Sequence, residues 1–182
     1  TVIGNTTPKF SGGFGLNATY KGFDMSMFFN FMYDFDVLNA NKIMLTTWAD
    51  NKENNFLMDI ASDNRWRNFD DMGNEIRYSP EVLAEFNKNA TMWNPTSIGR
   101  PICMSYAVED GSFLRLNSAT LGYTLPSVWT KKVGLSKVRF YVSGNNLFTL
   151  TGYSGYDPEV NIATGLTPNI DYNRYPRSRT YT

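Results

Sequence analysis

The chain has 182 residues with 17 basic and 17 acidic side chains, no histidine and one cysteine. Zero net charge argues against nucleic acid as a partner, and a lone Cys103 excludes an internal disulfide. No run approaches ~18 apolar residues, so no transmembrane helix is predicted. Aromatic residues make up 15 % of the chain, a share that suits interfacial girdles or sugar platforms. Thr1 to Asn5 has neither the basic nor the apolar segment of a signal peptide.

Phe10 to Tyr20 alternates, with Phe14, Leu16, Ala18 and Tyr20 on one face and Gly13, Gly15, Asn17 and Thr19 on the other. That is the period of a strand with two unlike faces. Lys21-Gly22 reads as a two-residue hairpin turn. A second strand follows over 23–34. Phe23, Met25, Met27, Phe29, Phe31 and Tyr33 share one face; Asp24, Ser26 and Asn30 lie on the other, where Phe28 and Met32 interrupt the polarity.

Residues 35–108 read as a long loop of mixed polarity. Ser79 is placed as N-cap of a short helix with Pro80 at its first position and Val82, Leu83 and Phe86 as its buried side. A third strand covers 112–125. Its leucines fall out of phase: Leu114 and Leu116 are even, whereas Ala119, Leu121, Tyr123 and Leu125 are odd. One extra residue near Asn117-Ser118, a β-bulge, would put both series on one face. After a medium connection a fourth strand spans 138–149, Val138, Phe140 and Val142 opposing Arg139, Tyr141 and Ser143. Residues 150–177 form a second long loop, and a fifth strand begins over 178–182. Short and long connections therefore alternate, as in bacterial outer-membrane barrels.

Catalysis has little footing. Asp70 and Asp71 are adjacent, whereas a glycosidase needs two carboxylates facing each other across the substrate. No cofactor is expected and the chain is not read as an enzyme. Asp70, Asp71, Asn74 and Glu75 around Gly73 are a candidate calcium set, although their spacing is not that of an EF-hand. Trp48, Trp66, Tyr78, Trp93 and Tyr106 are candidate ligand or partner contacts, against the alternative that they pack the loop's own small core. Asp157 and Glu159 are added as contact candidates within Tyr153–Val160, a segment whose Gly and Pro fix turns. Asn17, Thr19, Asp24, Ser26, Asn30, Arg115, Arg139 and Tyr141 form the polar strand face, expected to line a lumen.

Three stretches, EDGSFLRLNSATLGYTLP from Glu109, VRFYVSGNNLFTLTGYSGYDPEVN from Val138 and YPRSRTYT from Tyr175, resemble the C-terminal end of the SusC/RagA family. PKFSGGF and YKGFDMSMFFNFMYD add a looser match. The resemblance implies the following. The fold is all-β, the C-terminal antiparallel strands of a transmembrane barrel of about 22 strands. Its long loops are extracellular, and signal peptide, plug and most of the barrel lie upstream. The whole protein is a TonB-dependent, multi-pass transporter in a Gram-negative outer membrane, importing oligosaccharides or oligopeptides. It works with a SusD-like surface lipoprotein and the TonB complex. The alternative is a soluble β-sandwich that binds glycans, or an adhesin module. It would bury Met25, Met27 and Phe29 under a second sheet, where a barrel leaves them to lipid.

Overall fold

The computed structural model describes residues 2–47, 56–60, 65–95, 102–160 and 168–182. The chain divides into two units, Thr1–Leu38 with Val108–Thr182, and Asn39–Ala107.

The first unit is built on an antiparallel sheet. β1 (Phe10–Tyr20) and β2 (Phe23–Tyr33) form a hairpin; β5 (Phe113–Thr124) and β6 (Arg139–Thr151) follow, with β8 (Thr180–Tyr181) at the far side. The order is β1-β2-β5-β6-β8. Lys21 and Gly22 both have positive φ, 45° and 89°, the backbone of a type I′ turn that matches strand twist. β6 continues two residues beyond the expected Thr149.

Register turns the alternation of each strand into rows across the sheet. Tyr20, Phe23, Tyr123 and Phe140 form one row, and Ala18, Met25, Leu121 and Val142 the next. Leu16, Met27, Ala119 and Gly144 follow, then Phe14, Phe29, Leu116 and Phe148, then Gly12, Phe31, Leu114 and Leu150. Every member is apolar or aromatic. Phe14 and Phe29 stack at 4.9 Å, and Phe23 and Tyr123 lie 4.4 Å apart between centroids. Among the described residues no second sheet covers this face, and Phe14, Leu16, Phe23, Leu121, Phe140, Val142 and Leu150 are exposed. A sandwich would have buried them.

The extra residue expected in the third long strand is present. β2 advances one residue from Phe28 to Phe29 while its partner steps from Ser118 to Leu116, leaving Asn117 over. β6 answers with its own extra residue between Asn145 and Phe148, and Asn146 takes a φ of 53°. Asparagine tolerates that left-handed backbone better than most side chains.

The long connections are not wholly irregular. β3 (Asp36–Asn39), β4 (Val108–Asp110) and β7 (Ile170–Asp171) make a second, three-stranded sheet in the order β4-β3-β7. Phe35, Val37, Phe113, Tyr153 and Val160 form the core beneath it, with Met32 packed against them. This explains the apolar Met32 on the polar face of β2. Gly111 is required there: a Cβ would lie 2.6 Å from both the Phe35 ring and a Val37 methyl.

The second unit carries α1 (Ala40–Met44) and α2 (Pro80–Phe86). Asn39 caps α1 by accepting from the Lys42 N–H at 3.0 Å. Ser79 and Pro80 open α2 as expected, although the Ser79 hydroxyl makes no capping bond. The expected buried side of α2 is corrected: Val82 is exposed, and Leu83 and Phe86 are only half-buried. Among the described residues of this unit, Ile43, Ile60, Ile76, Met92 and Ala107 are the buried apolar groups instead.

Deleting Asn117 should turn Leu114 and Leu116 onto the face of Thr120, because a one-residue slip exchanges the faces of a strand. In the full-length protein, a spin label at Leu116 should share the environment of one at Leu121 before the deletion and of one at Thr120 after it. Unchanged environments would place the control of register elsewhere.

Candidate functional site

The register gathers all eight polar-face candidates on one side of the sheet. Thr19, Asp24 and Tyr141 share a row through Gly122, Asn17 and Ser26 share the next, and Asn30 stands opposite Arg115. Arg139 reaches the same face, where Nη2 and Nε donate to the two Asp24 carboxylate oxygens at 2.5 and 3.1 Å. The pair lies across Gly122, whose missing Cβ leaves the room: one placed there would be 2.6 Å from Arg139 and 2.7 Å from Asp24.

Arg115 departs from its expected role. It is on the polar face but only 2 % exposed, held under a loop rather than open along the strand. The segment Tyr153–Val160 folds down over it. Arg115 Nη2 donates to Asp157 Oδ1, Nη1 lies 3.7 Å from Glu159 Oε2, and Arg177 Nη2 pairs with Glu159 Oε1 at 2.7 Å. The Glu159 N–H also donates to Asp157 Oδ1 at 2.9 Å. Two carboxylates thus alternate with two guanidiniums, and the Arg115 guanidinium sits 5.4 Å from the centre of the Phe113 ring. Asp157 and Glu159, expected as ligand or partner contacts, spend their charge inside the chain.

Two further ties hold the same loop. Tyr153 Oη donates to Asp171 Oδ2 at 2.7 Å, and Ser154 donates through N–H and Oγ to Glu109 at 3.0 and 2.8 Å. Burial, and then the Asp171 bond, push the Tyr153 hydroxyl well above the usual phenol range. Beside the clamp lies a polar cavity of about 230 Å³ lined by Arg115, Thr149, Tyr156, Asp157, Arg177 and Arg179. Sequence reasoning missed the burial of Arg115. Its signal was available: Arg115 is the sole charged residue of β5, and the loop that follows the strand paired with it carries Asp157-Pro158-Glu159.

In the second unit the aromatic candidates separate. Trp93 Nε1 donates to the Thr46 carbonyl at 3.1 Å and its ring meets Tyr106 edge-on at 5.2 Å. Tyr106 Oη donates to Asp59 at 2.6 Å, with Lys42 Nζ 4.2 Å from the ring centre. Those two rings serve internal packing. Trp66 and Tyr78 present exposed rings. Trp48 lies outside the described residues.

The calcium candidates are not brought together as ligands. Asp70 closes a tight turn, accepting from the Asn74 side chain at 2.9 Å and from the N–H groups of Asn74 and Met72 at 2.7 and 2.9 Å. Those bonds hold its carboxyl below the usual range, that from the Asn74 side chain most. Asp71 pairs with Arg67 at 2.8 Å and Glu75 with Arg77 at 2.9 Å. Among the described residues no three acidic, cysteine or histidine groups converge on a metal position.

Asp157→Asn should strand the buried guanidinium and cost about 3–5 kcal/mol, while Arg115→Met with Asp157→Leu should recover most of it. Protease nicking within 152–177 of the full-length protein is the readout. Equal lability of the two variants would mean that the ion pair does not hold the loop.

Comparison with known proteins places this geometry. No family model matches the chain. The TonB-dependent receptor P3 of Formosa agariphila is 34 % identical over 187 residues, covering 100 % of this chain and 16 % of that protein. The receptor P39 of the same organism is 28 % identical, covering 97 % and 16 %. The TonB-dependent receptor SusC of Bacteroides thetaiotaomicron is 38 % identical over 80 residues, covering 42 % of this chain and 7 % of SusC. Among solved structures, the RagAB peptide importer in its closed-closed state superposes with a TM-score of 0.71 at 25 % identity, covering 96 % of this chain and 16 % of its own. A structure of the RagAB peptide transporter gives 0.71 at 26 % identity over 99 % and 17 %. The chain therefore spans 16 % of the length of the first two relatives. Strand register, two-faced sheet and relatives agree that this chain is a segment of a SusC/RagA-type TonB-dependent receptor.

Proposed function

We propose that these strands are C-terminal wall of an outer-membrane transport barrel of about 22 strands, the size class with a plugged lumen. The observation that carries the reading is the uncovered apolar face. It runs five rows deep across four strands, begins on Tyr20, Phe23, Tyr123 and Phe140, and is followed at its other end by the Phe10–Tyr33 pair. A lipid-facing band between two aromatic girdles has that composition. The opposite face, with Asn17, Thr19, Asp24, Ser26, Asn30, Arg139 and Tyr141, lines the lumen. Long connections 35–108 and 150–177 are extracellular; the Lys21-Gly22 turn and the 126–137 connection are periplasmic.

The whole protein, on this reading, is a multi-pass transporter of a Gram-negative outer membrane, not an enzyme. It imports oligosaccharides or oligopeptides with a SusD-like surface lipoprotein. Plug and TonB complex act from parts of the receptor outside this chain. The names of the solved relatives, a peptide importer and a peptide transporter, lend oligopeptides support. Among the described candidates, Trp66 and Tyr78 present exposed rings to ligand or lipoprotein. Uptake by cells carrying the full-length receptor, offered labelled oligopeptides or oligosaccharides with and without TonB, tests the function. Uptake that persists without TonB would overturn it.

Orientation has its own tests. Met27→Arg should cost about 2–4 kcal/mol of folding into lipid, while Ser26→Arg should be tolerated. Ser26 is the sound control because Asn30 faces Arg115, where a second guanidinium would meet like charge. Equal cost at both positions would refute the assignment of faces. On intact cells, in a Cys103→Ser background, a membrane-impermeant thiol reagent should label Tyr78→Cys and Tyr156→Cys but not Lys132→Cys; labelling at 132 would invert the topology.

A further inference from the structure

The connection between β5 and β6 has the wrong surface for a loop in water. It forms a short helix, α3 (Ser127–Thr130), and a 3-10 turn over Lys131–Val133 that ends at Gly134 with φ 75°. Thr130 is its buried side; its hydroxyl donates to the Ser127 carbonyl at 3.4 Å, and its own carbonyl accepts from Leu135 at 3.0 Å. The large apolar groups are turned outward. Val128 is 68 % exposed, Trp129 60 %, Val133 71 % and Leu135 50 %. Lys131, Lys132 and Lys137 stand among them, and residues 125–138 contain no acid. Neither Lys131 nor Lys132 forms an ion pair among the described residues.

Two neighbours extend this patch. The connection leaves the sheet at Leu125 and Val138, whose 2.9 Å bond lies one step beyond the row of Tyr20, Phe23, Tyr123 and Phe140. The patch therefore continues the apolar face past its aromatic edge. At the same end, a cavity of about 340 Å³ opens at the β1–β2 turn between Tyr20, Lys21, Phe23 and Thr124. Lys21 brings the count of lysines at this end to four, and the nearby Asp24 is already neutralised by Arg139.

Exposed Trp and aliphatic groups interleaved with lysines fit the boundary between acyl chains and headgroups, where aromatic rings sit and lysines reach outward. An excess of cations with no competing acid selects anionic phosphates over neutral lipid. We infer that this connection, with the Lys21 turn, is an interface anchor that binds anionic phospholipid. Val128, Trp129, Val133 and Leu135 enter the acyl boundary, and Lys21, Lys131, Lys132 and Lys137 hold headgroup phosphates. The inference rests on the reading of the sheet as barrel wall.

The test uses the full-length receptor in nanodiscs of phosphatidylcholine with or without phosphatidylglycerol. Bimane is attached singly at Trp129→Cys, Val133→Cys or Met27→Cys in a background otherwise free of cysteine. Lipid-borne nitroxide should quench positions 129 and 133 nearly as strongly as 27, and iodide should quench them weakly. Lys131→Glu with Lys132→Glu should lower phosphatidylglycerol retention about tenfold or more, with the barrel still folded. Lipid quenching at 27 but aqueous quenching at 129 and 133 would overturn the anchor alone. Protection of 129 and 133 from both quenchers would show that another part of the receptor covers the patch, and would overturn it equally. Failure of lipid quenching at 27 would instead sink the barrel reading.

Discussion

One surplus residue, Asn117, decides which way the central strand faces. Without it, Leu114 and Leu116 would join Ser118 and Thr120, and Arg115 would stand among Phe29, Phe31 and Phe148. With it, both leucines complete apolar rows and Arg115 turns to the polar side. The matching irregularity in β6 lets Leu150 and Phe148 follow the same correction. Side-chain period in a strand is two, so a single insertion re-aims a whole half-strand, and the two halves of β5 are made compatible by it.

That placement is what permits the loop to be held. A buried guanidinium is costly unless its charge is paired, and the pairing carboxylates here arrive on one short segment, Asp157 by hydrogen bond and Glu159 by charge alone. The same segment brings Tyr153 and Val160 onto Phe35, Val37 and Phe113. Charge pairing and apolar burial therefore act on one loop from two sides. The Tyr153–Asp171 and Ser154–Glu109 bonds then tie it to the small second sheet. The result is a floor laid over part of the polar face, which leaves Asn17, Thr19, Asp24, Ser26, Arg139 and Tyr141 among the polar groups outside it.

The long strands were legible in sequence because each alternates for eleven to thirteen residues, enough for periodicity to outweigh exceptions. The bulge was legible for the same reason, as a change of phase among leucines. The second sheet was not: β3, β4 and β7 have four, three and two residues, too few to show a period, and their partners are distant in sequence. The fate of the loop aromatics was equally hidden. Nothing in composition separates Trp93, which packs on Tyr106, from Trp66, which is exposed; only the fold of residues 39–107 does. Arg115 was read by parity onto the right face, but parity carries no information about what covers that face.

Apolar groups on the polar face mark where that covering occurs. Met32 and Phe113 sit under the loop core, so their exception to the pattern follows from local burial. Phe28 has no such roof, and is exposed beside Gly13, where a Cβ would lie 2.8 Å from its ring. Glycine at 13 leaves the room the ring occupies beside β1. β1 itself pairs on one side only among the described residues, and backbone groups left unpaired in lipid cost several kcal/mol each. The sheet is thus stable in a membrane only as part of a closed wall.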